Sequence, residues 1–226
     1  MWHFRTLGIV CLSLWATSLS AEDLSHYRGL ALGSSLATAA KAAGMEPSAA
    51  TVTHQRPVLI QELEWQPRQS YATNHSTEPV KEVALTFYDG ELYRIAVKYD
   101  RFRTEGMVAE DLVAAISEVY GKPTKPVAEQ LTAGSPAYPE QVDVIARWED
   151  PQYSCNLVRS TRTPEFSMIL FTKRLDEPAK KAIIEALRLE EQEAPARDAA
   201  LLKAKDQEQQ LLLDKARSAN KQAFRP

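Results

Sequence analysis

Reactive side chains are scarce in this chain. Its 226 residues include two cysteines, four histidines and eight glycines. The histidines have neither a second His nor a Cys at ligand spacing, and there is no His-Glu-x-x-His or Cys-x-x-Cys, so no metal or other cofactor is expected. No Gly-x-Ser-x-Gly elbow, phosphate-cradling glycine loop or dinucleotide fingerprint occurs. Ser34 and Ser35 follow Gly33, but they stand where a helix cap belongs. Basic excess is missing too: 27 Lys and Arg stand against 30 Asp and Glu. That balance argues against a nucleic-acid binder and against charge-driven attachment to anionic lipid. After residue 20 no run is long and apolar enough to span a membrane.

What is present begins with an export signal. Residues 1–20, MWHFRTLGIVCLSLWATSLS, run from Arg5 through an uncharged apolar stretch to the small residues Ser18, Ser20 and Ala21. Positive, apolar, then small-x-small is the order a signal peptidase requires. Cleavage is expected before Ala21 or before Glu22, giving a periplasmic or secreted protein with no integral membrane segment. An uncleaved anchor would need a longer apolar stretch. A lipoprotein signal would need a small residue where Val10 precedes Cys11. Cleavage removes Arg5, the only charge in 1–20, leaving 26 basic against 30 acidic residues. It also removes Cys11, so Cys155 has no internal disulfide partner. In YSCNLV, Cys155 alternates with Tyr153 and Leu157, which reads as a small buried residue, with a nucleophile or intermolecular disulfide as the reactive alternatives.

The middle of the chain repeats an outline. Residues 32–47, LGSSLATAAKAAGMEP, read as a short helix capped by Ser34 or Ser35 and stopped at Gly44. Extended segments follow at 51–65, interrupted by Pro57, and at 80–99. Residues 106–123 read as a second helix, with Leu112, Val113, Ile116, Val119 and Tyr120 at helical spacing and a stop at Gly121. Extended segments follow again at 142–160 and 165–175. The sequence therefore predicts an α+β fold of two tandem units, each a helix then about three antiparallel strands. The units span 21–105 and 106–175, with the tail at 176–226. Side-chain parity predicts the turns. Keeping Val83, Leu85, Phe87, Tyr93, Ile95, Val97 and Tyr99 on one face calls for a three-residue loop, Tyr88-Asp89-Gly90, pairing Phe87 with Glu91. Keeping Val142, Val144, Ala146 and Trp148 with Tyr153, Cys155 and Leu157 calls for the four-residue loop Glu149–Gln152.

The pattern LGSSLATAAKAAG, together with FYDGELYRIAVKYDRFRTEGMVAEDLVAAISEVYGKP, resembles exported bacterial proteins of uncharacterised function. More loosely, it is similar to the helix-plus-sheet units of the SmpA/OmlA (BamE-like) lipoproteins and of β-lactamase inhibitory protein. The resemblance covers about 26–175 in outline and implies tandem units that act by binding protein partners. This chain departs from the BamE-like pattern in lacking a lipobox cysteine.

In the tail, 176–193 reads as a helix packing through Ile183, Ile184 and Leu187, with Pro195 breaking or kinking the chain beyond it. Residues 196–218 sustain no heptad. They read as a solvated charged helix, a partner-binding helix or a disordered segment. Glu149-Asp150 reads as a pair of solvated turn acids, and 66–79 as a polar surface loop. The candidate protein-binding surface is Trp65, Tyr88, Arg94, Lys98 and Trp148, because Trp, Tyr and Arg dominate interface hot spots. The expectation is a non-catalytic exported protein that binds a protein partner, as an assembly or inhibitor-like module. The alternative is a hydrolase whose site no linear motif displays.

Overall fold

The computed structural model describes residues 23–66, 79–124, 130–135, 138–163, 165–223 and 225. The expected signal segment and most of the polar loop 66–79 lie outside the described residues. The fold is α+β. A small hairpin, β1 (His26–Tyr27) and β2 (Leu30–Ala31), precedes helix α1 (Leu36–Ala43). Strands β3 (Thr51–His54), β4 (Ile60–Trp65), β5 (Val80–Tyr88) and β6 (Glu91–Tyr99) follow, then helix α2 (Ala109–Tyr120). Strands β7 (Gln130–Ser135), β8 (Tyr138–Glu149), β9 (Tyr153–Ser160) and β10 (Phe166–Thr172) lead into helix α3 (Lys173–Ala223). Strands β3 to β10 form one eight-stranded antiparallel sheet in the order β3-β4-β5-β6-β10-β9-β8-β7. Each of the first two helices is thus followed by four strands, where about three were expected. β7, with the sequence QLTAGS, offered no alternating apolar pattern to read.

The caps of α1 match the sequence reading. Ser35 is the N-cap, and its Oγ accepts from the Thr38 N–H at 3.3 Å. Gly44 closes the helix at φ 68°, in the left-handed region that glycine enters without a Cβ clash. The Ser35→Ala variant is expected to lose about 1 kcal/mol in urea unfolding. An unchanged midpoint would show that this cap is idle. In α2, Leu112, Ile116 and Tyr120 face inward and Val113 is half-buried. Val119, expected to join them, stands at the edge of the stripe and is 42% exposed.

Helices α1 and α2 and the β1–β2 hairpin pack on one face of the sheet. That core holds Val83, Leu85, Phe87, Leu92, Ile95 and Val97 from the first four strands, and Ala146, Trp148, Cys155, Leu157, Met168 and Leu170 from the last four. A single core therefore runs across the β6–β10 seam.

Both predicted registers need correction, and in both cases the reason is a bulge. In the first hairpin Tyr88 pairs with Glu91, so the loop is the two-residue Asp89-Gly90 turn. Both residues have positive φ, 50° and 79°, as a type I′ turn requires. The parity is restored one step later, because the pairs Phe87↔Leu92 and Thr86↔Arg94 leave Tyr93 as an extra residue. Tyr93 is thereby turned to the opposite face, against Leu175 and Ala179 of α3. In the second hairpin Trp148 pairs with Cys155 and Glu149 with Ser154, which moves the turn to Pro151-Gln152. The even loop and odd sum hold, but the pairing is one step further from Tyr153. A bulge at Ile145, between the pairs Val144↔Val158 and Ala146↔Leu157, divides the expected stripe. Val142 and Val144 join Val158 and Ile169 on the α3 face. Bulges add local twist, and the sheet curls toward that face until β7 lies against β5.

Helix α3 is the largest departure from expectation. It is continuous through Pro178 and Pro195, 51 residues long, or about 75 Å at 1.5 Å per residue. A proline removes one backbone hydrogen bond and crowds the preceding turn, yet its φ is helical. The strong helix formers around Pro195 (EEQEA before it, ARDAALLKAK after it) carry the helix through. The buried residues are Leu175, Ala179, Ala182 and Ala186. Ile184 and Leu187, expected inside, are 68% and 47% exposed. The alanines let the helix lie close over a face that carries Tyr88 and Tyr93.

Candidate functional site

The five residues proposed from sequence do not form one surface. Trp148 is 1% exposed, with its ring in the core and its Nε1–H donating to the Gly121 carbonyl at 2.8 Å. It ties β8 to the end of α2 and is not available to a partner. Trp65 is half-buried on the same α1/α2 face. Tyr88, Arg94 and Lys98 lie on the opposite face. Tyr88 stands edge-on to Tyr93, with ring centroids 6.5 Å apart at 83°. Arg94 occupies a cross-strand row, Glu62–Thr86–Arg94, set by the pairings of β4 with β5 and β5 with β6. Lys98 donates to Glu82 at 2.9 Å. Partial burial pulls this ammonium down, but Glu82, Glu64 and Glu140 outweigh it and raise its pKa. Strand residues that looked exposed by alternation are thus packed on both faces of the curled sheet.

The first half of α3 is clasped along its length. Lys173 donates to Glu149 at 2.7 Å and to the Asp150 carbonyl at 2.8 Å. The Lys173 hydrogen bond holds the Glu149 carboxyl below the usual range, against a smaller opposing effect of burial. Arg174 pairs with Glu91. Further along, the buried His54 meets Glu190 through Nδ1 at 2.9 Å, and Arg56 meets Glu193 at 2.6 Å. Asp150 is a turn residue, its Oδ1 accepting from the N–H groups of Gln152 and Tyr153. The adjacent acids Glu149 and Asp150 are therefore occupied in structure rather than facing each other across a cleft.

Past Glu193 the helix leaves the sheet. Every residue from Pro195 to Ala223 is exposed. Leu201, Leu202, Leu212 and Leu213 are 56% to 62% exposed. Leu201 to Leu212 and Leu202 to Leu213 are each about three turns, so these four fall on one stripe, with Leu211 off it.

Two groupings of chemical interest were not visible in the sequence. One is Asp23, Ser25 and His26. Ser25 Oγ lies 2.7 Å from Asp23 Oδ2 and 2.6 Å from His26 Nδ1. Asp23 Oδ2 lies 3.3 Å from that same Nδ1. A Ser-His-Asp relay needs the hydroxyl on one ring nitrogen and the carboxylate on the other, and here both sit on one. The Ser25 N–H also donates to Asp23 Oδ1 at 2.9 Å, which makes the group a capped turn. The hydrogen bonds from Ser25 hold the Asp23 carboxyl below its ordinary range. The other grouping is a cavity of about 620 Å³ between the β1–β2 hairpin, α2 and the ends of β6 and β10, walled by Tyr27, Tyr99, Tyr120 and Met168. Four distant segments supply it, and each of these residues reads singly as core.

Cys155 is fully buried, and burial pushes its thiol well above the ordinary value, so the thiol sits protonated in the core. Among the described residues no three His, Cys, Asp or Glu side chains gather as a metal site, and no helix is long and apolar enough to cross a membrane. No family model, curated protein or solved structure matches the chain.

Proposed function

We propose that this is an exported, non-catalytic binding module that engages a protein partner through the projecting half of α3. The observation that carries this reading is the leucine stripe Leu201, Leu202, Leu212 and Leu213, left in solvent on a helix whose preceding half is clasped to the sheet. An isolated helix gains most of its stability from packing an apolar face, and four leucines on one stripe form such a face without a surface to meet. Apolar anchors at helical spacing are the means by which a helix seats in a partner groove. The tandem-unit reading is part of the proposal. Helix and four strands occur twice, and the strand order runs inward to the β6–β10 seam and outward again in mirror sequence. That arrangement supports the likeness to BamE-like proteins and β-lactamase inhibitory protein, which bind protein partners. Export rests on the residues of 1–20.

The test uses the chain without 1–20 as bait in envelope extract, beside a chain ending at Ala194 and a full-length variant with Leu201, Leu202, Leu212 and Leu213 replaced by Gln. Both altered chains are expected to keep the parent unfolding midpoint and to lose the captured protein. Undiminished capture by both would remove α3 from the interface. Turnover in a hydrolase screen with no captured protein would overturn the binding reading.

A further inference from the structure

The cavity beneath the β1–β2 hairpin borders the core. Its walls include Tyr27 from the hairpin, Tyr99 from β6, Ile116 and Tyr120 from α2, and Met168 from β10. Tyr27, Ile116, Tyr120 and Met168 are all buried. The volume of about 620 Å³ lies in the range of small-molecule pockets. Atoms that face a void lose the dispersion contacts a neighbour would supply. Cavities with apolar walls take up aromatic guests for that reason. The Tyr120 hydroxyl donates to the His26 carbonyl at 3.0 Å, which ties the hairpin to α2 and holds the walls in place.

One wall carries a donor that is poorly met. The Tyr99 hydroxyl reaches the Met168 sulfur at 3.7 Å, and both residues line the cavity. A thioether is a weak acceptor. Burial pushes the Tyr99 phenol up, with Tyr27, Cys155 and Tyr120 adding to the shift and Arg28 opposing it, so the hydroxyl keeps its proton. A carbonyl oxygen is a better acceptor than sulfur, and a donor withdrawn from water gains by finding one. The unbranched Met168 side chain can move aside to admit it. A charged group in the same place would give up its water against rings and a thioether, which is costly.

We propose that this cavity binds a small neutral aromatic molecule bearing a carbonyl oxygen, its ring among Tyr27, Ile116 and Tyr120 and its oxygen accepting from the Tyr99 hydroxyl in place of the Met168 sulfur. Tyrosine rings favour edge-on and offset contacts with another ring, which suits a planar guest. The site is independent of α3, so a ligand here and a protein on the helix tip are separate properties.

Acetophenone, ethylbenzene and benzoate share a ring and nearly one shape, and they test this chemistry. Each is titrated into the chain without 1–20, with the Met168 methyl and the amides of Tyr27, Ala115, Val119 and Tyr120 followed by NMR. Both neutral probes are expected to shift these signals. Benzoate is expected to bind about tenfold weaker than acetophenone, because its charge is desolvated. Tyr99→Phe keeps the ring and removes the donor. It is expected to weaken acetophenone about fivefold, the worth of one neutral hydrogen bond, and to leave ethylbenzene unchanged. Ala115 is exposed at the rim, so Ala115→Trp is expected to fold normally and to close the cavity to the neutral probes. An acetophenone-to-ethylbenzene ratio unmoved by Tyr99→Phe, benzoate binding as tightly as acetophenone, undiminished binding in Ala115→Trp, or no shift with any probe would each overturn the proposal.

Discussion

Trp148→Ala is expected to lose about 3–5 kcal/mol in urea unfolding. The side chain is 1% exposed and stands opposite Cys155 in the middle of the common core. Truncation removes the ring from its contacts with both helix-bearing halves and also strands the Gly121 carbonyl that accepts its Nε1–H at 2.8 Å. Lost transfer energy and a residual cavity add to that uncompensated acceptor. A domain of this size is held by about 5–15 kcal/mol, so the variant sits near the edge of folding. Trp148→Phe keeps most of the apolar area but not the donor, and is expected to lose about 1–2 kcal/mol. Trp65→Ala, at a half-buried rim position, serves as the comparison. Equal losses at the two tryptophans would contradict the placement of Trp148 at the centre.

The second large effect is alkaline. Burial pushes the Tyr93 phenol from its ordinary 10.0 up to about 12, and Asp176 and Glu62 add to the shift while Arg94 opposes it. Below the ordinary value both folded and unfolded chains hold the proton, and the contribution to stability is complete. As pH rises above 10 the unfolded chain ionises first, so stability falls until the folded phenol titrates near 12. The loss from this group approaches about 2–3 kcal/mol. Burial raises Tyr99 in the same direction, with Tyr27, Cys155 and Tyr120 adding to it, and deepens the fall. Urea midpoints measured across this range are expected to decline, and Tyr93→Phe is expected to flatten the decline. A Tyr93→Phe profile parallel to the parent would show that this phenol titrates as if in water.

Much of the fold was legible because it depends on local chemistry. Ser35, Gly44 and Gly121 mark helix ends through caps and left-handed or unusual backbone, and such signals need no tertiary context. The hairpins were legible as hairpins. Their registers were not, because an extra residue at Tyr93 or Ile145 leaves the apolar alternation looking unbroken while its face changes. The inward face of α3 misled for a different reason. Alanine carries little hydropathy signal, yet Ala179, Ala182 and Ala186 are buried, while the bulkier Ile184 and Leu187 are exposed. The candidate surface failed on the same assumption of one buried and one wet face. The cavity walls come from positions 27, 99, 120 and 168, and no sequence pattern joins residues so far apart in the chain.

The seamless passage from β10 to α3 has a geometric consequence. Thr172 is the last strand residue and Lys173 the first helical one, with no residue between them to swivel. The clasps at Lys173 and Glu193 fix the direction of the rod before it leaves the sheet. From Pro195 onward it extends about 45 Å, at 1.5 Å per residue. The tip is therefore a standoff of set length and azimuth. Whatever seats on the leucines is held away from the sheet, at an orientation determined where the helix is rooted.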